Sequence, residues 1–276
     1  MKKFLFAITL IFIFIFIFAL SSHAEIIGRH TTLNATEQEL AAIIRENLIQ
    51  ESYIGVDISD LELKFYESLT LMQLALNRGE VDAIAVPLCV GQYMLHNNKN
   101  YELKGVDWWL SNSAYTFNCA FLEKNKTLRD KFNFAISQMK KSGTLAILEN
   151  KYINNLDQNN LKPIEFTNFD GAEIIKVAVT GDMPPIDYIA PDGTPAGFNT
   201  ALLSEIGKIL KVNIKTLNID TSARAVALES GRADAVFWFQ SNIDTNYPVI
   251  DVPEGLIISE PYYKWNEQYF IGKKLN

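Results

Sequence analysis

Residues 174–240 read IIKVAVTGDMPPIDYIAPDGTPAGFNTALLSEIGKILKVNIKTLNIDTSARAVALESGRADAVFWFQ, and the fold turns on how this stretch is parsed. Ile175 to Val179 is a β-branched run of strand type. Asp182 to Pro185 and Asp192-Gly193 are turns. Leu202, Ile206 and Leu210 recur at i, i+4 and i+8, with Leu203 and Ile209 beside them, so one face of a helix is apolar. A second β-run follows at Val212 to Leu217, then a short helix closed by Gly231, then a third run from Ala233 to Phe239. This β-α-β-α-β alternation predicts an open, mainly parallel sheet with helices on its faces. Ligands of such sheets sit beyond the carboxyl ends of the strands. The loops after Val179 and Phe239 are therefore the first places to look for function.

The rest of the 276 residues sets bounds. Lys2 and Lys3 precede an almost wholly apolar run, Phe4 to Leu20, and Ser22-His23-Ala24 has the small-residue character of a cleavage site. Residues 1–24 are expected to be a signal peptide that exports the chain to the periplasm; the competing reading is an uncleaved membrane anchor. Without Lys2 and Lys3 the formal charge moves from −7 to −9, which argues against a nucleic-acid partner. Cys89 and Cys119 are either a disulfide, which an oxidising compartment permits, or two buried thiols. Two cysteines and three histidines do not assemble a metal-site spacing, and no cofactor-binding glycine loop or catalytic signature is present.

In chain order, Thr36 and Glu39 have capping-box spacing ahead of an apolar helical face of Leu40, Ile43, Ile44 and Leu48. Leu61 to Phe65 is a strand. Ser68 to Asn77 is a helix with Gly79 at its left-handed cap. Val81 to Val86 is a strand ended by Pro87, and Gly91 to His96 a short helix. Tyr115 to Leu122 reads as an extended crossing strand. Leu128 to Lys140 is amphipathic, Thr144 to Tyr152 is a further helix, and 154–171 is a polar linker. One segment is echoed: Leu74-Ala75-Leu76-Asn77-Arg78-Gly79-Glu80-Val81-Asp82-Ala83-Ile84 matches Val226-Ala227-Leu228-Glu229-Ser230-Gly231-Arg232-Ala233-Asp234-Ala235-Val236. Any helix-to-strand turn favours glycine, but the full match predicts two α/β lobes of like build.

Three segments carry a resemblance to a known family. They are Val177-Ala178-Val179 leading to Pro184-Pro185, Tyr188, Asp192-Gly193 and Gly197-Phe198; Ala227-Leu228 leading to Gly231 and Asp234-Ala235; and Ser259-Glu260-Pro261-Tyr262-Tyr263. In this order they resemble the opening lobe of the bacterial family 3 solute-binding proteins, the periplasmic receptors of ABC importers. The resemblance implies a two-lobed periplasmic-binding-protein-like (type II) clamshell, each lobe a mostly parallel sheet with flanking helices. In that family the segment like 175–263 comes first and the segment like 61–153 comes last. Here the order is reversed, which implies a circular permutation, with two tandem half-copies as the alternative. The implied layout is residues 25–112 as the family's second lobe, 113–124 as a hinge strand, 125–262 as its first lobe with a permutation linker at 154–171, and 263–276 as a second hinge strand.

The resemblance also implies a ligand cleft between the lobes. Asp182 then stands in a loop facing the ligand, with Tyr188 near the rim. The family's carboxylate-gripping Arg has no counterpart after Phe239, and Pro87 replaces the Asp that holds an α-ammonium. A standard free amino acid is therefore not the expected ligand. Aromatic surface from Trp238 and Trp108, neutral hydrogen-bonders Gln240 and Ser241, and Arg224, Arg29 and Thr31 complete the candidate set, each with core packing or a surface ion pair as its plain alternative. The expected activity is non-enzymatic capture of a small polar or ring-bearing solute by a monomer, for an ABC permease. An exported sensor with a membrane partner is one alternative, and a periplasmic lyase or hydrolase on the same scaffold is another.

Overall fold

Hydrogen-bonded strand pairing divides the chain into two main sheets and one small one. The structure, a computed structural model, describes residues 25–30, 36–51, 61–106, 115–156, 164–240, 252–265 and 268–274. The first sheet contains β1 (Ile26–His30), β2 (Glu62–Tyr66), β3 (Ala83–Pro87) and β4 (Tyr101–Val106). The second contains β5 (Tyr115–Leu122), β6 (Ile174–Val179), β10 (Asn213–Asn218), β11 (Ala235–Gln240), β12 (Leu256–Ile258) and β13 (Tyr263–Trp265). The small sheet is β7 (Asp182–Met183), β8 (Asp187–Ile189) and β9 (Pro195–Ala196). The last strand, β14 (Gln268–Lys273), returns to the first sheet.

The two sheets are built alike. The first has the order β2-β1-β3-β14-β4 and the second β10-β6-β11-β5-β12, with β13 also on β5. In each, the first three strands are parallel and the fourth position is an antiparallel strand delivered from the other half of the chain. The sequence echo has a physical basis in this likeness. Gly79 and Gly231 both take the left-handed conformation, φ 72 and 70°. Beyond them Asp82 Oδ2 accepts the Ile26 amide at 2.8 Å, and Asp234 Oδ2 accepts the Lys176 amide at 2.8 Å. Each Asp thus pins the first half of the strand that lies in the middle of its sheet's three parallel strands. Each lobe is thus a mostly parallel sheet with flanking helices, as the sequence predicts.

Helices cover the sheets, in the described residues: α1 (Glu37–Glu51), α2 (Leu69–Arg78), α3 (Leu88–Asn97), α4 (Lys126–Ser142), α5 (Thr144–Glu149), α6 (Phe198–Leu210) and α7 (Arg224–Glu229). The predicted capping box forms at α1: Glu39 Oε2 accepts the Thr36 amide at 2.9 Å and Thr36 Oγ1 accepts the Glu39 amide at 3.3 Å. Helix α4 buries Phe132, Ala135, Ile136 and Met139, the face read from spacing. Strand β3 is buried along its whole length, as befits a strand covered on both faces. The largest apolar cluster runs from Val90 and Met94 through Phe117 and Tyr262 to Phe198, so the two lobes share packing at the hinge.

Several expectations change. The strand near Val81 begins at Ala83 and includes Pro87, which pairs with Gln268. The expected second hinge strand, 263–276, contains β13 on the second sheet and β14 on the first. The expected turn at Asp182 to Pro185 opens as β7, with a cis Pro184-Pro185 bond behind it. Cys89 and Cys119 are buried free thiols rather than a disulfide. The Ser259-Glu260-Pro261-Tyr262-Tyr263 segment clasps β5: Ser259 Oγ accepts the Cys119 amide at 2.9 Å, and the Ser259 carbonyl accepts Asn118 Nδ2 at 2.8 Å.

Helix α3 lies directly on the returning strand. A Cβ built on Gly91 would stand 2.8 Å from Tyr269 Cβ. Neither the helix backbone nor the first atom of a side chain can swing aside, so Gly91→Ala is expected to destabilise the fold by ~1–3 kcal/mol through overpacking. Denaturant unfolding measures this; unchanged stability would mean that α3 and β14 are not in contact.

Candidate functional site

The site lies where the parallel strands end. β1 ends at His30, and β6 ends at Val179, followed by Thr180, Gly181 and Asp182. His30, from the first lobe, feels the charges of Asp182 and Arg224, from the second. Helix α2 of the first lobe also packs beside β7 of the second. The carboxyl ends of the parallel strands of both sheets therefore lie near one another, the position at which open α/β sheets take ligands.

Asp182 is held on both oxygens. Oδ1 accepts Thr180 Oγ1 and Oδ2 accepts Thr221 Oγ1, each at 2.8 Å. It remains partly exposed. Two fixed hydroxyl donors lock the carboxylate's rotation and leave its remaining lone pairs for a donor in the cleft. Arg224 opens α7, is 8% exposed, and donates Nε–H to the Thr221 carbonyl at 3.0 Å. Its guanidinium sits 4.5 Å from the centroid of the Trp238 ring, a cation–π arrangement. Asp182 and Arg224 are thus both tied to Thr221, which fixes an anion and a cation in one wall.

The other candidates are placed as follows. Trp238 is wholly buried in the core of the second lobe, with Ala178, Leu228 and Val236. Its ring is no part of an open cleft surface, and its influence on the site runs through Arg224. Arg29 is buried and donates to Gln268 Oε1 of β14, so it fastens the returning strand to β1. Tyr188 is buried on β8, paired with Asp182 in the small sheet; burial, with Tyr93 and Tyr152 nearby, pushes its hydroxyl pKa up. Trp108, Thr31 and Ser241 lie outside the described residues, and for Gln240 the described feature is its backbone pairing with Thr116. No group of His, Cys, Asp and Glu among the described residues could hold a metal ion.

Sequence reasoning missed four residues that build this site: His30, Thr180, Thr221 and Asp187. His30 carries no local signal, because it sits in a polar run, Arg29-His30-Thr31-Thr32, with no motif around it. Asp187 did carry one, because it interrupts the apolar run Ile186, Tyr188 and Ile189. It is 3% exposed and accepts the Thr180 amide at 3.1 Å. Burial, assisted by the charge of Asp182, pushes its carboxyl up to about 6, although the amides of Thr180 and Gly181 and the Thr180 hydroxyl pull the other way. Burial holds the only partly exposed His30 down to about 4; Asp182 opposes this and Arg224 reinforces it.

These two groups bend the pH dependence of stability in opposite directions. His30 titrates lower folded than unfolded, so its part of stability is present above about 6.5 and is lost as pH falls through about 4. Asp187 titrates higher folded than unfolded, so its part is present below about 3.8 and is lost as pH rises through about 6. Between about 4 and 6 the slopes oppose. Asp187→Asn is expected to make stability climb more steeply with pH in this window, and His30→Gln to make it fall. Chemical denaturation of both variants between these pH values checks the signs; parallel profiles in all three proteins would contradict the assignments.

Residues 175–248 match the family of bacterial extracellular solute-binding proteins, family 3. No curated protein sequence is close enough to count as a relative. Among solved structures, the chain resembles the ligand-binding component of an ABC-type import system from Staphylococcus aureus (11% identity, TM-score 0.42, 90% of this chain and 65% of that one). It also resembles an ABC transporter periplasmic binding protein from Brucella ovis with glutathione bound (12%, 0.45, 92% and 63%). A third is the periplasmic VFT2 domain of BvgS from Bordetella pertussis (14%, 0.42, 91% and 82%). The chain thus spans less than two thirds of the first two structures. Residues 175–248 are thus the part of the chain that is similar to the bacterial extracellular solute-binding proteins of family 3.

Proposed function

We propose that this chain is an exported solute-binding protein that captures a small polar or ring-bearing solute between its lobes and delivers it to an ABC-type permease. The observation that carries this reading is the convergence of His30, at the end of β1 in one lobe, with Asp182, just after β6, and Arg224, at the start of α7, in the other. A solute touching both walls gains contacts only when the lobes are together, and such differential contact biases a two-state closure. The locked Asp182 carboxylate suits a hydrogen-bond donor or cation on the solute, and Arg224 an anionic or polar acceptor. Residues 1–24 serve as the export signal in this reading. The order of the lobes along the chain is taken as a circular permutation, which the like strand order of the sheets and the family match in the second half support.

Thermal-shift screening of the mature protein against polar metabolites tests the proposal. A true ligand at 100 times its Kd adds about 2.7 kcal/mol of stability. Asp182→Asn is expected to weaken that ligand about tenfold or more, about 1.4 kcal/mol, with the fold intact. Free glutamine and arginine are expected to leave the melting temperature nearly unchanged, because Pro87 stands where an ammonium-holding Asp is needed. No stabilising solute from the screen or from the purified protein, or one bound equally by Asp182→Asn, would contradict the proposal.

A further inference from the structure

The hydroxyl of Thr180 stands between two carboxyl groups. Its Oγ1 is 2.8 Å from Asp182 Oδ1 and 3.2 Å from Asp187 Oδ2. A hydroxyl has one proton to donate, and the shorter contact commits it to Asp182. If both carboxyls were ionised, a Thr180 lone pair would then face an anionic Asp187 oxygen inside the protein. A second observation points the same way. Asp187 Oδ1 is buried with no hydrogen-bond partner among the described residues. An orphaned oxygen is far cheaper on a neutral acid than on a carboxylate. The ionisable groups around Asp187 supply no relief. Asp182 is a like charge, the buried Tyr262 donates its hydroxyl to Asn199 Oδ1 at 2.8 Å, and the buried Cys119 thiol beside Tyr262 is neutral. The cation Arg224 and the imidazole of His30 lie on the Asp182 side.

We propose that Asp187 is a positioning residue that acts as a neutral hydrogen-bond donor: its Oδ2–H is given to Thr180 Oγ1, which commits the Thr180 proton to Asp182. The chain of donors runs from Asp187 through Thr180 to Asp182 Oδ1, while Thr221 serves Oδ2. Asp182 is thereby kept as a charged acceptor of fixed orientation at the cleft. When Asp187 loses its proton, Thr180 loses its donor and Asp182 gains a buried negative neighbour. The aim of the cleft carboxylate is then loosened as pH rises through about 6. The consequence for a solute rests on the proposed function, but the proton placement does not.

Carbon-13 NMR titration of aspartate Cγ in the full chain without ligand tests the placement, with Asp187→Asn to assign the resonance. The wild type is expected to show the Asp187 midpoint near 6, and Thr180→Ser, which keeps the hydroxyl, is expected to match it. In Thr180→Val the protonated form loses its acceptor, so the midpoint is expected to fall by about half a pH unit or more. A hydroxyl that instead donated to an ionised Asp187 would give a rise. A rise or no change in Thr180→Val overturns the proposal, and so does a wild-type midpoint near 4, which needs no variant. The outcome is independent of whether any solute is ever found.

Discussion

Everything in this molecule depends on an exchange of antiparallel strands. β14, near the end of the chain, fills the gap between β3 and β4 of a sheet begun at Ile26, and β5 fills the corresponding gap beside β11. Without β14, the edges of β3 and β4 would present unpaired amides and carbonyls, an open template for aggregation. The exchange therefore completes each lobe and ties it to the other. The two crossings lie together. Phe117 of β5 stacks on Tyr263 at 5.8 Å between ring centroids, and Phe198 meets both Tyr262 and Tyr263. Arg29 to Gln268 adds a buried polar tie at the mouth of the first sheet.

The chemistry of the cleft follows from that frame. Because the parallel strands β6 and β10 end side by side, the short side chains that follow them, Thr180 and Thr221, meet at one carboxylate. Thr221 bridges the anion Asp182 and the cation Arg224, and Trp238 supports the cation from the core. The amides at the start of α6 are not available to an anion. Phe198 and Asn199 donate to the carbonyls of Pro185 and Ile186, and Gly197 at φ 93° lets that loop approach. The charges gathered here are thus side chains, Asp182 after β6 and Arg224 at the start of α7, rather than the free amides of a helix end.

Much of this was legible in the sequence, for local reasons. Thr36 with Glu39, and Gly79 and Gly231 with the Asp three residues beyond each, are signals contained within a few residues. The alternation of β-runs and amphipathic helices gave the lobe its class. What was not legible depends on partners far away in the chain. Strands of two or three residues such as β7 and β9 have no periodicity to read. Whether Trp238 faces core or cleft depends on which side α7 covers, and alternation along the strand does not say. Cys89 and Cys119 could be judged as a pair only once each was seen buried and free. His30 became a site residue only because the opposite lobe places Asp182 and Arg224 against it.

The strand exchange is most directly measured by native-state hydrogen exchange of backbone amides. If β14 completes the first sheet, the amides of Phe270 and Ile271 exchange with the same opening free energy as those of Ile84 and Val86, through unfolding of the whole lobe. Exchange of β14 amides at rates near those of an unprotected chain, with β3 still protected, would mean that the strand is not part of that sheet, and the shared cleft would lose its foundation.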